Sequence, residues 1–206
     1  MSPFYTQSET PIRKVAVFCS ASNRVMQDYK NLAYSLGAML ASNGYELVYG
    51  AGEQGLMGEV AKGALDNQGI IHGILPHFLT FEATNAQFVT QYVESMNVRK
   101  RDICHLADAY VILPGGFGTL DELFEVLTLK QIGQENKPIY LLDSTHDRIF
   151  SSAIHNLCSV LIEIGTIQKE DMNAFDEVQD LDELTTMLGL GFQKDYKSKI
   201  GKKDGE

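Results

Sequence analysis

No apolar run in this 206-residue chain approaches the ~20 residues that a helix needs to cross a bilayer, which argues against a spanning segment. The first residues carry Glu9 and lack a basic stretch followed by an apolar one, so no secretory signal is expected. Cysteine is scarce. Cys19, Cys104 and Cys158 are odd in number, form no CxxC and lie in apolar surroundings, which reads as reduced thiols of a cytoplasmic protein. The five histidines form no HExxH and no other paired spacing, so no metal site is expected. Basic residues are outnumbered, 17 against 27 acidic, for a net charge of −10. Five of those 17 and three of those 27 fall between Lys194 and Glu206, which leaves the body at −12. A body this acidic is poorly matched to a phosphodiester backbone, so neither nucleic acid nor membrane is an expected partner. There is no internal repeat and no second domain boundary.

What is present is an ordinary globular composition, 44% apolar and 21% charged, at a length that suits one domain. Residues 1–12 are polar with two prolines and read as a flexible N-terminus. Residues 13–190 read as the domain, and 191–206 as a basic, disordered tail.

Short apolar runs alternate with periodic ones. Lys14–Cys19, Glu46–Tyr49, Ile70–Leu75, Tyr110–Leu113, Ile139–Leu142 and Phe175–Val178 read as strands, the last at an edge. Asp28–Asn43, Met57–Asp66, Asn97–Ala107, Thr119–Ile132, Ile149–Ile164 and Leu181–Leu188 read as helices. His77–Gln87 reads as a loop and Phe88–Val93 as a short strand. Buried strands without polar alternation predict a parallel sheet covered on both faces. The expected class is therefore α/β, a doubly wound parallel sheet with helices on both faces and ligands at the carboxyl ends of its strands.

Two glycine-rich turns fall at such ends. Pro114-Gly115-Gly116-Phe117-Gly118-Thr119 joins a strand to a helix, and its glycines allow close approach of a ligand to bare N–H groups. Thr119-x-x-Glu122 also matches a capping box, in which the threonine and glutamate would serve only the helix end. Glu122 lies opposite the Leu120/Leu123/Phe124/Leu127 stripe, which places it near the crevice mouth rather than in the core. Gly50-Ala51-Gly52-Glu53-Gln54-Gly55 matches GxGxxG. The dinucleotide reading wants an acid at the end of the next strand, and Ile74-Leu75-Pro76 has none. Another phosphate or ribose contact, or a plain turn without ligand, remains open there. Arg99-Lys100-Arg101 is the densest basic cluster of an acidic body and falls in the first turn of its helix, where the dipole disfavours cations. Solvated charges paired with Asp102 or Glu94 are the alternative to a functional role. Together, an acid, a cation cluster and glycine turns at one sheet edge suit cleavage of a bond beside a phosphorylated sugar.

In these residues the chain resembles the LOG ("lonely guy") family, cytokinin riboside 5′-monophosphate phosphoribohydrolases often labelled lysine decarboxylases. PGGFGTLDE is similar to the family's PGGxGTxxE. Met96-Asn97-Val98-Arg99-Lys100 is similar to its M-H-x-R-K, and Gly50 to Gly58 to its GGGxxGLMG. The resemblance implies a Rossmann-like homodimer that hydrolyses the N-glycosidic bond of a nucleoside 5′-monophosphate such as AMP, with the active site near the dimer interface. It implies Arg99 and Glu122 as the catalytic pair. Gly115, Gly116, Gly118 and Thr119 would cradle the phosphate, with Met96 and Lys100 as the adjoining wall. Gly52 and Gly55 would form the second glycine loop. Neither a cofactor nor a metal is called for, and no lysine has the context of a pyridoxal phosphate Schiff base. Asn97, Ala51 and Glu53 depart from the family pattern. A nucleotide sensor or carrier on the same fold is the alternative, since fold does not fix activity.

Overall fold

The computed structural model describes residues 12–82, 88, 90–143 and 148–189. The expected flexible N-terminus and basic tail otherwise lie outside these residues, although Ile12 packs into the core. The strands are β1 (Lys14–Phe18), β2 (Glu46–Tyr49), β3 (Ile71–Pro76), β4 (Gln91–Val93), β5 (Ala109–Ile112), β6 (Ile139–Leu142) and β7 (Asp176–Val178). The helices are α1 (Gln27–Ser42), α2 (Gly55–Asp66), α3 (Met96–Leu106), α4 (Phe117–Gln131) and α5 (Ile149–Glu163), with a further helical stretch over 181–189.

All pairings are parallel and give one sheet in the order β4-β3-β2-β1-β5-β6-β7. Side-chain alternation along β1 divides the core in two. Val15 and Val17, with Leu47, Tyr49 and Val111, pack under α1, α2 and Leu184 and Leu188 of the 181–189 helix. Ala16 and Phe18, with Val48, Tyr110 and Ile112, pack under Ile103 of α3, Leu123 and Val126 of α4, and Ile154 of α5. Both faces being covered explains why the strands read as unbroken apolar runs. The expected doubly wound α/β sheet is the one observed, with β7 at an edge as expected.

Helices α1 and α2 lie unusually close. A Cβ on Gly37 would sit 1.9 Å from the Val60 carbonyl oxygen, and one on Gly63 would sit 2.0 Å from that of Tyr34. Two glycines therefore set the separation of this layer.

Element ends differ from the sequence reading for local reasons. Helix α2 begins at Gly55 rather than Met57 because the Ser20 carbonyl accepts from the Leu56 and Met57 amides (2.8 and 3.3 Å) and organises the turn early. Helix α4 begins at Phe117 rather than Thr119, its start masked by glycine's poor helix propensity. The fourth strand is confined to Gln91–Val93, and short 3₁₀ turns form at His77–Glu82, within an expected loop, and at Lys169–Ala174. The rest of that loop, 83–87, lies outside the described residues.

Candidate active site

The chain winds to one side of the sheet from β1 and to the other from β5, so a crevice opens where their carboxyl ends diverge. The Ser20 amide donates to the Pro114 carbonyl (3.2 Å) and closes its floor. Helix α4 rises from one side directly after the glycine turn. Helix α3 approaches from the other, started by Ser95, whose Oγ accepts from the Val98 amide (3.3 Å).

These helices bring Glu122 and Arg99 together, each only 8% exposed. Arg99 Nη2 lies 3.7 Å from Glu122 Oε1, an ion pair too long to be a hydrogen bond. Burial pushes the Glu122 carboxyl up from 4.5 to about 7, against the pull of Arg99 and of Lys100. Asp121 and Glu125 add to the rise. The buried Cys19 thiol at the end of β1 is pushed far up by desolvation, then by the Glu122 charge, so it stands as a neutral wall of the same site. The Arg99 guanidinium makes no hydrogen bond to oxygen among the described residues. Its Nη1 meets Met96 Sδ at 3.7 Å, and its buried Nε has no partner. A buried guanidinium with its Nε unmet and no hydrogen bond to oxygen is unfavourable by itself and fits an acceptor brought by a ligand.

One sequence expectation is corrected here and one alternative reading falls away. Glu122 is not near the surface. The buried face of α4 is Thr119, Glu122, Leu123 and Val126, while Leu120, Phe124 and Leu127 are half-buried. The capping box does not form either. The cap position is Gly116, with no side-chain bond, and Thr119 lies inside the helix against Gly115. A Cβ on Gly115 would sit 2.0 Å from Thr119 Oγ1.

The two glycine turns differ in what their helix amides do. At α2, the Gly55 amide donates to Asn23 Oδ1 (2.9 Å), those of Leu56 and Met57 to Ser20 and that of Gly58 to Gln54. At α4, the amides of Phe117, Gly118 and Thr119 find no acceptor among the described residues, and the first backbone bond is Leu120 to Gly116 (2.9 Å). A Cβ on Gly116 or Gly118 would meet nothing within 4 Å. Neither residue needs to be glycine for protein packing, so the space in front is open to a ligand. An anion is favoured at α4 by bare amides and the helix dipole, and α2 has no free first-turn amide to offer it.

The basic cluster separates into three roles. Arg99 enters the site. Lys100 Nζ pairs with Asp121 (2.9 Å) and Glu125 (2.7 Å), so it braces α3 against α4. Arg101 is exposed and pairs with Asp102. The Lys100 ammonium is held above its ordinary range, chiefly by Glu125, which is the wrong direction for a Schiff-base lysine. Gly52 and Gly55 are buried in the second loop, where a Cβ on Gly52 would meet Met57 Sδ at 3.0 Å. The structure thus groups Arg99, Glu122, Met96 and Gly115 to Thr119. It places Lys100, Gly52 and Gly55 behind them.

Of the departures, Asn97 points to solvent. Ala51 is fully buried with φ of 59°, a left-handed conformation that suits glycine better and costs alanine about 1–2 kcal/mol. Sequence reasoning missed Cys19 beside the pair and Ser20 and Asn23 as acceptors for α2, and it read Gly50 only as part of the glycine loop, not as a neighbour of Arg99. It also missed Asp143, a fully buried acid at the end of β6 that accepts from the Phe150 and Ser151 amides (both 3.0 Å) and from Tyr29 Oη (3.1 Å). Its position after an apolar strand and before a helix is a signal that could have found it.

Residues 57–188 match the family model described as possible lysine decarboxylase. A probable cytokinin riboside 5′-monophosphate phosphoribohydrolase of Oryza sativa subsp. japonica is 38% identical over 66% of this chain and 60% of its own length. A second from the same plant is 33% identical over 86% of this chain and 77% of its own. The cytokinin riboside 5′-monophosphate phosphoribohydrolase of Rhodococcoides fascians is 39% identical over 66% and 71%. The match thus spans 60% of the length of the first of these relatives. Among solved structures, the molybdenum cofactor carrier protein of Chlamydomonas reinhardtii shares the fold with a TM-score of 0.61 at 18% identity, covering 88% of this chain and 99% of that one. With the three motifs in register, the extent of these matches means that the chain belongs to the LOG family of cytokinin riboside 5′-monophosphate phosphoribohydrolases.

Proposed function

We propose that this protein hydrolyses the N-glycosidic bond of a nucleoside 5′-monophosphate, AMP or an N6-modified AMP, to the free base and ribose 5-phosphate. The observation that carries the reading is the buried Arg99–Glu122 pair beside the unfilled amides of α4. The phosphate docks on the Phe117, Gly118 and Thr119 amides, which places the ribose toward Glu122. Cleavage moves the C1′–N electron pair onto the departing base while a water oxygen bonds to C1′. Glu122, ionised, stabilises the cationic ribose and takes the proton of that water, and the departing base takes up a proton from solvent to leave neutral. With its carboxyl at about 7, it is poised for this exchange near neutral pH. Arg99 donates to the ribose hydroxyls or the leaving purine, which supplies the acceptor it lacks. Charge fixed in advance in a water-poor site is usually the largest catalytic contribution.

The protein acts as a homodimer with the site close to the interface. Phe117, 93% exposed at the first turn of α4 beside the cradle, supports a surface covered by a second copy. The three free thiols, all buried or half-buried, support a reducing, cytoplasmic setting. The test is incubation with AMP and with isopentenyl-AMP, with chromatography for free base. Release from at least one is expected. Release from neither, with retained nucleotide affinity, would replace the hydrolase by a nucleotide carrier.

A further inference from the structure

We infer that the Gly50–Gly58 loop is the seat of Arg99 rather than a second cradle for substrate, with Gly50 as its positioning residue. This rests on the catalytic role proposed for Arg99. A Cβ on Gly50 would lie 1.5 Å from Arg99 Nη2, 2.5 Å from Cζ and 2.9 Å from Nε. All three nearest atoms belong to the guanidinium, so the arginine lies directly on the Gly50 backbone. No turn geometry asks for glycine there, because Gly50 is not among the residues with positive φ. The nearest obstruction is the arginine. The first-turn amides of α2 are meanwhile satisfied by Ser20, Asn23 and Gln54, so the loop offers none of them to a phosphate.

The seat matters because little else fixes the guanidinium. It has no hydrogen bond to oxygen among the described residues, only the Met96 sulfur at 3.7 Å and Glu122 at the same distance. Its place is set by shape: glycine beneath, Met96 to one side and the carboxylate ahead. Any side chain at position 50 moves it by more than an ångström, and displacements of that size cost roughly 10²-fold in rate.

The experiment is a double-mutant cycle of Gly50→Ala and Arg99→Ala in the full chain, read by AMP turnover, ribose 5-phosphate affinity and pH profile. Gly50→Ala should lower kcat on the order of 10²-fold, and Arg99→Ala should do the same. In the Arg99→Ala background it should change nothing further beyond about twofold, since the atoms it strikes are gone. If Gly50→Ala alone does not fold, the double variant should, because its clash has been removed. The acidic limb of the pH profile should move upward in Gly50→Ala. Arg99 then no longer holds the Glu122 proton affinity down, leaving Lys100 against Asp121, Glu125 and the Cys19 wall. A packing defect would lower thermal stability and leave that limb in place. Near-normal kcat in Gly50→Ala, or losses that multiply in the double variant, would overturn the inference. Should the wild type release no base at all, the hydrolase reading fails. The seat is then decided by the same coupling measured in ribose 5-phosphate affinity.

Discussion

Replacing Glu122 by glutamine should make the protein more stable and nearly inactive, with a stability gain that grows as pH rises above about 4.5 and is complete above about 7. Glutamine imitates the protonated carboxyl, so the variant never meets the cost of charging a buried group. The folded-state value of about 7 against an ordinary 4.5 is equivalent to about 3 kcal/mol. The sign follows from proton counting. Between the two values the folded protein binds more protons at this group than the unfolded chain does. Wild-type stability therefore falls as pH rises from 4.5 toward 7, and the full cost is present above about 7. Of that, about 2 kcal/mol should develop between roughly pH 5.5 and 8.5, a range that avoids precipitation near the isoelectric point of 4.9. Urea unfolding of wild type and Glu122→Gln across this range, without ligand, reads the difference directly. The stability gap should widen with pH while AMP turnover drops by at least roughly 10²–10⁴-fold. A gap independent of pH would mean that Arg99 keeps the carboxylate ionised at its ordinary value. The burial argument would then be wrong. Near-wild-type turnover would remove Glu122 from the chemistry.

Gly116→Ala and Gly118→Ala should fold as wild type, since a methyl meets no protein atom, yet raise KM for AMP about tenfold or more by narrowing the cradle, as steady-state kinetics would show. Gly63→Ala places a methyl 2.0 Å from the Tyr34 carbonyl and should cost about 3 kcal/mol in urea unfolding, with catalysis of the folded fraction intact. Asp143→Ala removes the acceptor of two α5 amides and of Tyr29 Oη. It should destabilise by about 3 kcal/mol, seen as a lower unfolding midpoint. Phe117→Ser should weaken the proposed dimer, and light scattering after size exclusion would show monomer at concentrations where wild type remains paired.

Much of the fold was legible because its strands are buried on both sides. Runs such as Tyr110–Leu113 and Ile139–Leu142 carry that burial in composition alone, and their alternation with helices implies a parallel sheet. The boundaries that failed lie where glycine or a distant partner sets the start. Gly116 and Gly118 hid the beginning of α4, and the Ser20 carbonyl, 35 residues before Gly55, organised α2 early. The capping-box reading failed for the same reason, because a shift of the helix start moved Thr119 from cap to interior.

By itself the sequence determined which residues were available to the chemistry. Three glycines, a threonine and a glutamate in one turn, an arginine in another segment and a second glycine loop carry the family resemblance through residue type and spacing. The tertiary structure decided what each of them does. Glu122 is half-titrated near neutrality because α4 turns it inward, a property of the packed helix face that its neighbours in sequence do not encode. Arg99, Lys100 and Arg101 are adjacent in the chain, yet fold into a site, a brace and a surface ion pair, because successive helix residues point in different directions. The two glycine turns look alike as strings. Only the partners of their helix amides, residues from elsewhere in the chain, show that one is open to an anion and the other is closed by the protein itself.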